Sequence, residues 1–135
     1  MAETTQFELV SPERLVLSQA VEMVVVPGSE GYFGVLPRHA PLISTLSPGV
    51  IDIHEGGSVT QRIFVAGGFA EVTGERCTVL AEVAMPLDEI DVAKAESNIT
   101  DTRDVLKDVT DPVERAKLDN KIATLEAMIT AKRAA

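Results

Sequence analysis

Glycine and proline all but cease at one point in this chain. All nine glycines and six of the seven prolines lie at or before Pro86, in "AMPLDE", while the remainder holds one proline and 19 of the 33 charged residues. Turn makers and helix breakers fill the first stretch and helix-compatible residues the second, which divides the chain into two architectures, residues 1–86 and residues 87–135. With 135 residues in all, there is material for one core and an appendage, and too little for two lobes enclosing a cleft.

The first part reads as short strands separated by turns. "FELVS" opens it, "AVEMVVVPGSEG" follows with a Pro-Gly stop, and "PGVIDIHEGGS" alternates before turning at Glu55-Gly56-Gly57. "SVTQRIFVAGG" and "FAEVTGERCTVLAEVA" continue the alternation, with Thr73-Gly74-Glu75 as a tight turn. Strands joined by turns this short run antiparallel, so the expected architecture is an antiparallel β-sandwich or barrel.

The second part changes period. Val92, Ala95, Ile99, Thr102, Leu106 and Val109 are spaced by three and four, as are Leu118, Ile122, Leu125 and Ile129. Each set lines one face of a helix. Asp88 offers a cap for the first helix, and Asp111, Pro112 and Glu114 form a restart signal for the second. The short connection predicts an antiparallel two-helix hairpin, with Ala116, Ala123, Ala127 and Ala131 permitting close approach. No aromatic residue follows Phe69, so its packing energy is modest and it is expected to move as an appendage. The fold class is α+β.

Charge and composition exclude several functions. A net charge of −9 repels a phosphate backbone and an anionic lipid surface, which argues against nucleic-acid binding and lipid insertion. No apolar run approaches the roughly 18 residues that span a bilayer, and "MAETTQF" has neither a signal core nor the arginines of a transit peptide. Cys77, the single cysteine, sits in an apolar alternating run and reads as core packing.

Chemistry is equally sparse. His39, in "GYFGVLPRHAPLIS", has no serine or cysteine nucleophile at a recognisable spacing, and with His54 and Cys77 it makes no metal-ligand pattern. "GSEGYFG" lacks the lysine and hydroxyl residue of a phosphate loop. No catalytic residue and no metal site is expected. Gly31, Gly34, Pro37 and Pro41 predict a rigid projecting loop with left-handed glycines, and of Tyr32 and Phe33 one is expected to face outward as an anchor. This is the pattern of a protein that touches other proteins. Two further readings stay open on residues alone: a ligand-binding sandwich using His39 and Asp52, and an adapter whose helical hairpin grips a partner.

The run "PGSEGYFGVLPRHAPLISTLSPGVI", Pro27 to Ile51, resembles the signature of the epsilon-subunit family of bacterial F-type ATP synthases, in which a glycine loop leads into Pro-x-His-x-Pro-Leu. The resemblance continues through "FVAGGFAEVTGERCTVLAEVA" and "DEIDVAKAE" into the helices, and so covers essentially the whole chain. The homologous mitochondrial subunit, called delta, is made with a presequence, and the lack of one here points to a bacterial protein.

The resemblance implies a rotor component of the central stalk without an active site, peripheral on the cytoplasmic face of the bacterial inner membrane. Its sandwich would bind the gamma subunit and the polar loops of the c-ring, coupling proton flow to ATP synthesis. Its hairpin would lie folded or extend into the alpha/beta catalytic head and restrain hydrolysis. Carried over position by position, the c-ring interface is Glu30, Gly31, Tyr32, Phe33, Gly34 and His39, with a departure at Tyr32, where some relatives have a carboxylate. The family's nucleotide motif appears as "IDVAKA", Ile90, Asp91, Lys94 and Ala95 being its matching positions, with Lys94 where arginine belongs. Lysine keeps the charge and loses the planar fork. Counting outward from the turn sets Glu126 to Ile129 level with Lys94, so regulatory ATP is expected to bind weakly or not at all, and no other cofactor is implied.

Overall fold

The computed structural model describes residues 3–135. It divides into two compact units, one ending at Leu87 and one spanning Asp88–Ala135. In the first unit eight strands follow in order: β1 (Thr5–Val10), β2 (Leu15–Val21), β3 (Met23–Gly28), β4 (Gly31–Val35), β5 (Leu42–Thr45), β6 (Gly49–Glu55), β7 (Ser58–Val72) and β8 (Arg76–Pro86). They hydrogen-bond in the order β2-β1-β8-β7-β6-β3-β4, and β5 pairs with β7.

All neighbours are antiparallel except β1 and β8, which run parallel. Short turns force antiparallel pairing only on strands that they join, and β1 and β8 are separated by the whole domain. Apolar residues alternate to one side of each strand, and Phe7, Leu9, Val24, Val26, Ile51, Ile53, Val65 and Val79 are fully buried in one core. The sheet curls until β2 meets β6 and β7: Gln19 Nε2 donates to Glu55 Oε1 at 2.7 Å and Gln61 Nε2 to Gln19 Oε1 at 3.2 Å. A curled sheet with one shared core is a sandwich.

Pro27-Gly28 ends β3 as expected, with Pro27 still opposite Tyr32 in a hairpin whose turn is Ser29-Glu30. Two local expectations change. Gly31–Val35 is a strand, not a projecting loop; the irregular segment starts at Leu36. Gly67-Gly68 does not divide two strands. Both glycines have positive φ, 73° and 92°, and β7 runs through them, pairing with β6 before this point and with β5 after it. A Cβ on Gly68 would lie 1.8 Å from the Leu80 carbonyl oxygen of β8.

The second unit holds α1 (Val92–Lys107) and α2 (Pro112–Ala134). Asp91, and not Asp88, caps α1, its carboxylate accepting from the Lys94 N–H at 3.1 Å; Asp88 lies three residues earlier in a 3-10 turn, Leu87–Glu89. Asp111 caps α2 through the Glu114 N–H at 3.1 Å with Pro112 at the first position, as expected. Arg115 Nη1 closes the turn, donating to the carbonyls of Leu106 at 2.9 Å and Val109 at 2.8 Å, which leaves Val109 outside α1. Ala95 and Ile99 meet Ile122, Leu125 and Ile129, with Val92, Leu106 and Met128 beside them. Of the four α2 alanines, Ala116 and Ala123 are exposed and Ala127 and Ala131 half-buried, and the buried alanine of the cluster is Ala95 of α1.

Gly68→Ala is expected to cost about 3 kcal/mol in urea unfolding, since backbone must move, whereas Gly74→Ala, with open space at its Cβ, stays within about 1 kcal/mol. Burial pushes the Cys77 thiol up to about 12. Because the unfolded chain gives up that proton near the usual thiol value and the folded chain does not, this stabilisation is complete below the unfolded value and is lost as pH rises towards 12. Iodoacetamide at about pH 8 should leave the folded chain unlabelled and label the unfolded one fully.

Candidate functional site

The sequence-predicted interface residues fall on β4 and at its two ends. Glu30 and Gly31 form the tip of the β3–β4 hairpin, Gly31 with φ 126°. Gly34 is in the strand with no left-handed backbone, contrary to expectation; a Cβ there would meet the Met23 sulfur at 3.5 Å, an ordinary van der Waals contact. The tip is fastened to the start of the next crossing, with the Ser29 N–H donating to the Thr45 carbonyl at 2.9 Å and Thr45 Oγ1 to Ser29 Oγ at 2.8 Å.

Pleating separates Tyr32 from Phe33. Phe33 turns inward against the core and fits because Gly28 is bare: a Cβ there would lie 2.9 Å from the Phe33 ring. Tyr32 turns outward, 63% exposed, and its hydroxyl accepts the Val50 N–H of β6 at 3.2 Å. It thus spans β3 from the outer edge strand. Replacing both by alanine is therefore not a purely surface change.

His39 stands at the other end of β4, roughly 17 Å of strand away. Leu36 to His39 make a turn closed by the His39 N–H to Leu36 carbonyl bond at 3.1 Å, and the Arg38 N–H donates to the Gly74 carbonyl at 2.9 Å. The His39 ring is half-buried, its Nδ1 2.7 Å from the Ala40 carbonyl oxygen. Local backbone thus satisfies it, and no acidic partner or nucleophile is bonded to it among the described residues. Arg38 pairs with Glu3, which lowers the Glu3 carboxyl below its usual range through the hydrogen bond and the guanidinium charge. The interface residues consequently form a line along one exposed edge and not a pocket.

A second surface escaped the sequence reading. Across the outer face Phe69 pairs with Leu80, Leu80 with Val10 and Val10 with Leu15. Phe69 and Leu80 line a shallow groove bounded by Ser11, Pro12 and Glu82. Leu15 is 56% exposed, and Ile43, on β5 of the same domain, is 71% exposed. The available signal was apolar residues on both parities of a strand, as in "CTVLAEVA", where Val79 is buried and Leu80 is not. Exposed apolar rows of this kind mark contact surfaces.

In the hairpin the motif residues do not converge. Ile90 and Ala95 are buried, Lys94 is exposed, and the Asp91 carboxylate is engaged as the cap. Glu126 is not level with Lys94: it pairs with Arg103 at 3.1 Å, and it is Arg133 that reaches the early turns of α1, meeting Glu96 at 2.7 Å. Counting residues from a turn ignores the lean of side chains along their helices, which displaces contacts by up to a turn. Among the described residues no group of three or more His, Cys, Asp or Glu could hold a metal ion, and no helix is long and apolar enough to cross a membrane.

Residues 4–87 match the family model described as "ATP synthase, Delta/Epsilon chain, beta-sandwich domain". Over 133 residues the chain is 53% identical to the ATP synthase epsilon chain of Rhodospirillum rubrum, covering 98% of this chain and 99% of that one. In structure it is similar to a chain of the Euglena gracilis mitochondrial ATP synthase, OSCP/F1/c-ring, with TM-score 0.76 at 24% identity over 95% of this chain and 81% of that one. A chain of the Tetrahymena thermophila mitochondrial ATP synthase, central stalk/c-ring, gives TM-score 0.69 at 13% identity over 96% and 97%. At these identities the structures speak for the fold alone.

Separating the two aromatics tests the pleat. Phe33→Ala should lower stability by about 2 kcal/mol, whereas Tyr32→Phe, losing one exposed hydrogen bond, should change it by at most about 1 kcal/mol in thermal or urea unfolding.

Proposed function

Because the chain belongs to the family of ATP synthase delta/epsilon chains, we propose that it is a non-catalytic subunit of the central-stalk rotor, joining gamma to the c-ring and coupling proton flow to ATP synthesis. The observation that carries this reading is the extent of the likeness, 53% identity through 98% of the chain, helices included. The alternatives of a ligand-binding sandwich and a free-standing adapter lose their footing with it. His39 is bonded to its own backbone rather than to an acidic partner.

The two surfaces of the sandwich divide the work. The apolar row of Phe69, Leu80, Val10 and Leu15 suits a stable, dry contact and is where gamma docks. The β4 edge, from Glu30, Gly31, Tyr32, Phe33 and Gly34 to His39, meets the polar loops of the c-ring. An edge strand laid along a ring of repeated loops touches more than one of them, and both ends of this strand are tied down by hydrogen bonds to β5 or to the Gly74 turn. Torque passes better through a fastened edge than through a loose loop. The protein works at the cytoplasmic face of the bacterial inner membrane, held by its partners. The hairpin, a separate unit, restrains ATP hydrolysis when it engages the alpha/beta head.

ATP itself binds weakly or not at all. Lys94 stands in place of the arginine fork, Asp91 is committed to the α1 cap, and Arg133 is committed to Glu96. Mg-ATP titrated into the isolated chain by calorimetry should give no low-micromolar binding; tight binding would refute this, and Lys94→Arg is the substitution expected to improve it.

A chain ending at Leu87 should still bind gamma, assemble on membranes stripped of the catalytic head and its stalk, and restore ATP synthesis. Co-purification with a tagged chain tests the reading directly: ATP synthase subunits should come with it, and a folded, tagged chain that captures none of them would overturn the assignment.

A further inference from the structure

Arg38 is the one described residue other than glycine with a left-handed backbone, φ 65°. In that conformation a side chain crowds its own carbonyl, glycine avoids the crowding, and asparagine or aspartate tolerates it better than most. The turn gains nothing from the arginine side chain. Its bonds, Arg38 N–H to the Gly74 carbonyl and His39 N–H to the Leu36 carbonyl, are all backbone, and glycine would make them with less strain. The side chain itself is 76% exposed and pairs with Glu3, itself 62% exposed. So exposed a pair adds little to folding. Strain retained without a folding benefit is a mark of function.

We propose that Arg38 is a contact residue for an acidic side chain on the partner that His39 faces, one position further on; this rests on the reading of the β4 edge as a docking surface. The guanidinium is a planar fork of five donors suited to carboxylates. Glu3 contacts it through Nη2 and stands in for the partner's carboxylate in the free chain. A cation here also offsets the repulsion between an acidic partner and a chain of net charge −9. The other charged groups at this end are Glu75 and the pair Arg76–Glu8, and Arg76 is already matched.

The test reassembles the complete complex, with variant chains, on membranes stripped of the catalytic head and stalk, and follows ATP-driven proton pumping as potassium chloride is raised. Arg38→Gly should leave the Tm of the isolated chain no lower, yet bring the salt midpoint for loss of pumping down about twofold, with Arg38→Lys between. Glu3→Gln frees the guanidinium and should leave that midpoint unchanged or higher. A clear fall in the Tm of Arg38→Gly, an unchanged salt midpoint, or a Glu3→Gln that mimics Arg38→Gly would each overturn the proposal, the last by showing that Arg38 only fastens the N-terminal segment. His39→Ala separates the two levels. If it weakens docking while Arg38→Gly does not, the Arg38 proposal alone fails; if neither does, this end of β4 is not a docking surface.

Discussion

At Gly67 and Gly68 the β7 backbone takes φ values of 73° and 92°, and there β7 exchanges β6 for β5 as its neighbour while keeping β8 on its other side. The Leu80 carbonyl occupies the space where a Gly68 Cβ would lie. This corner lets a single sheet of eight strands bend over its own apolar face and bury Phe7, Leu9, Ile51, Ile53 and Val79 in one core. The exposed surfaces of the sandwich follow from it. Curling brings Gln19 of β2 to Glu55 and Gln61, leaves β4 as a free edge, and turns Phe69 and Leu80, immediately beside the corner, out to solvent.

The hairpin rests on a different balance. Its cluster of five buried residues retains 5–9% exposure at each member, whereas most of the sandwich core is fully buried. What defines the unit is directional: the Asp91 and Asp111 caps, the Arg115 bonds that close the turn, and the ion pairs Arg103–Glu126 and Arg133–Glu96 between helices. Such bonds fix register more than they add stability. A unit with few apolar contacts and exposed polar fastenings sits at the low end of local stability.

Legibility followed the range of the interactions. The change of architecture near Pro86, the Glu55–Gly57 and Thr73–Glu75 turns, the restart at Asp111 and the burial of Cys77 were visible because each is decided within a few residues. The continuity of β7 through two glycines was not. Its cause is the Leu80 carbonyl, which no local pattern reveals. The two glycines of β4 suggest a loop, yet only Gly31, at its first position, has a left-handed backbone. Asp88 and Asp91 both satisfy the sequence rule for a cap, and only the 3-10 turn Leu87–Glu89 decides between them. The apolar row of Phe69, Leu80, Val10 and Leu15 was hidden since its members are far apart in sequence, and the register of α2 against α1 was missed because side-chain lean does not appear in a residue count.

Gly49 shows how far the β4 edge and the packing behind it are one object. A Cβ at Gly49 would lie 2.6 Å from the Tyr32 hydroxyl and 2.8 Å from Pro27 Cβ. The Tyr32 side chain therefore needs a bare position two strands away, and its hydroxyl in turn accepts the N–H of the next residue, Val50. Pro27 lies between them as the register partner of Tyr32. Three positions of one sequence motif, Pro27, Tyr32 and Gly49, are thus coupled by a single side chain laid across three strands. A substitution at Gly49 would move Tyr32, although Gly49 is itself buried. For this edge, then, a residue's exposure is a poor guide to its importance, and the relevant measure is whether it holds Tyr32 flat.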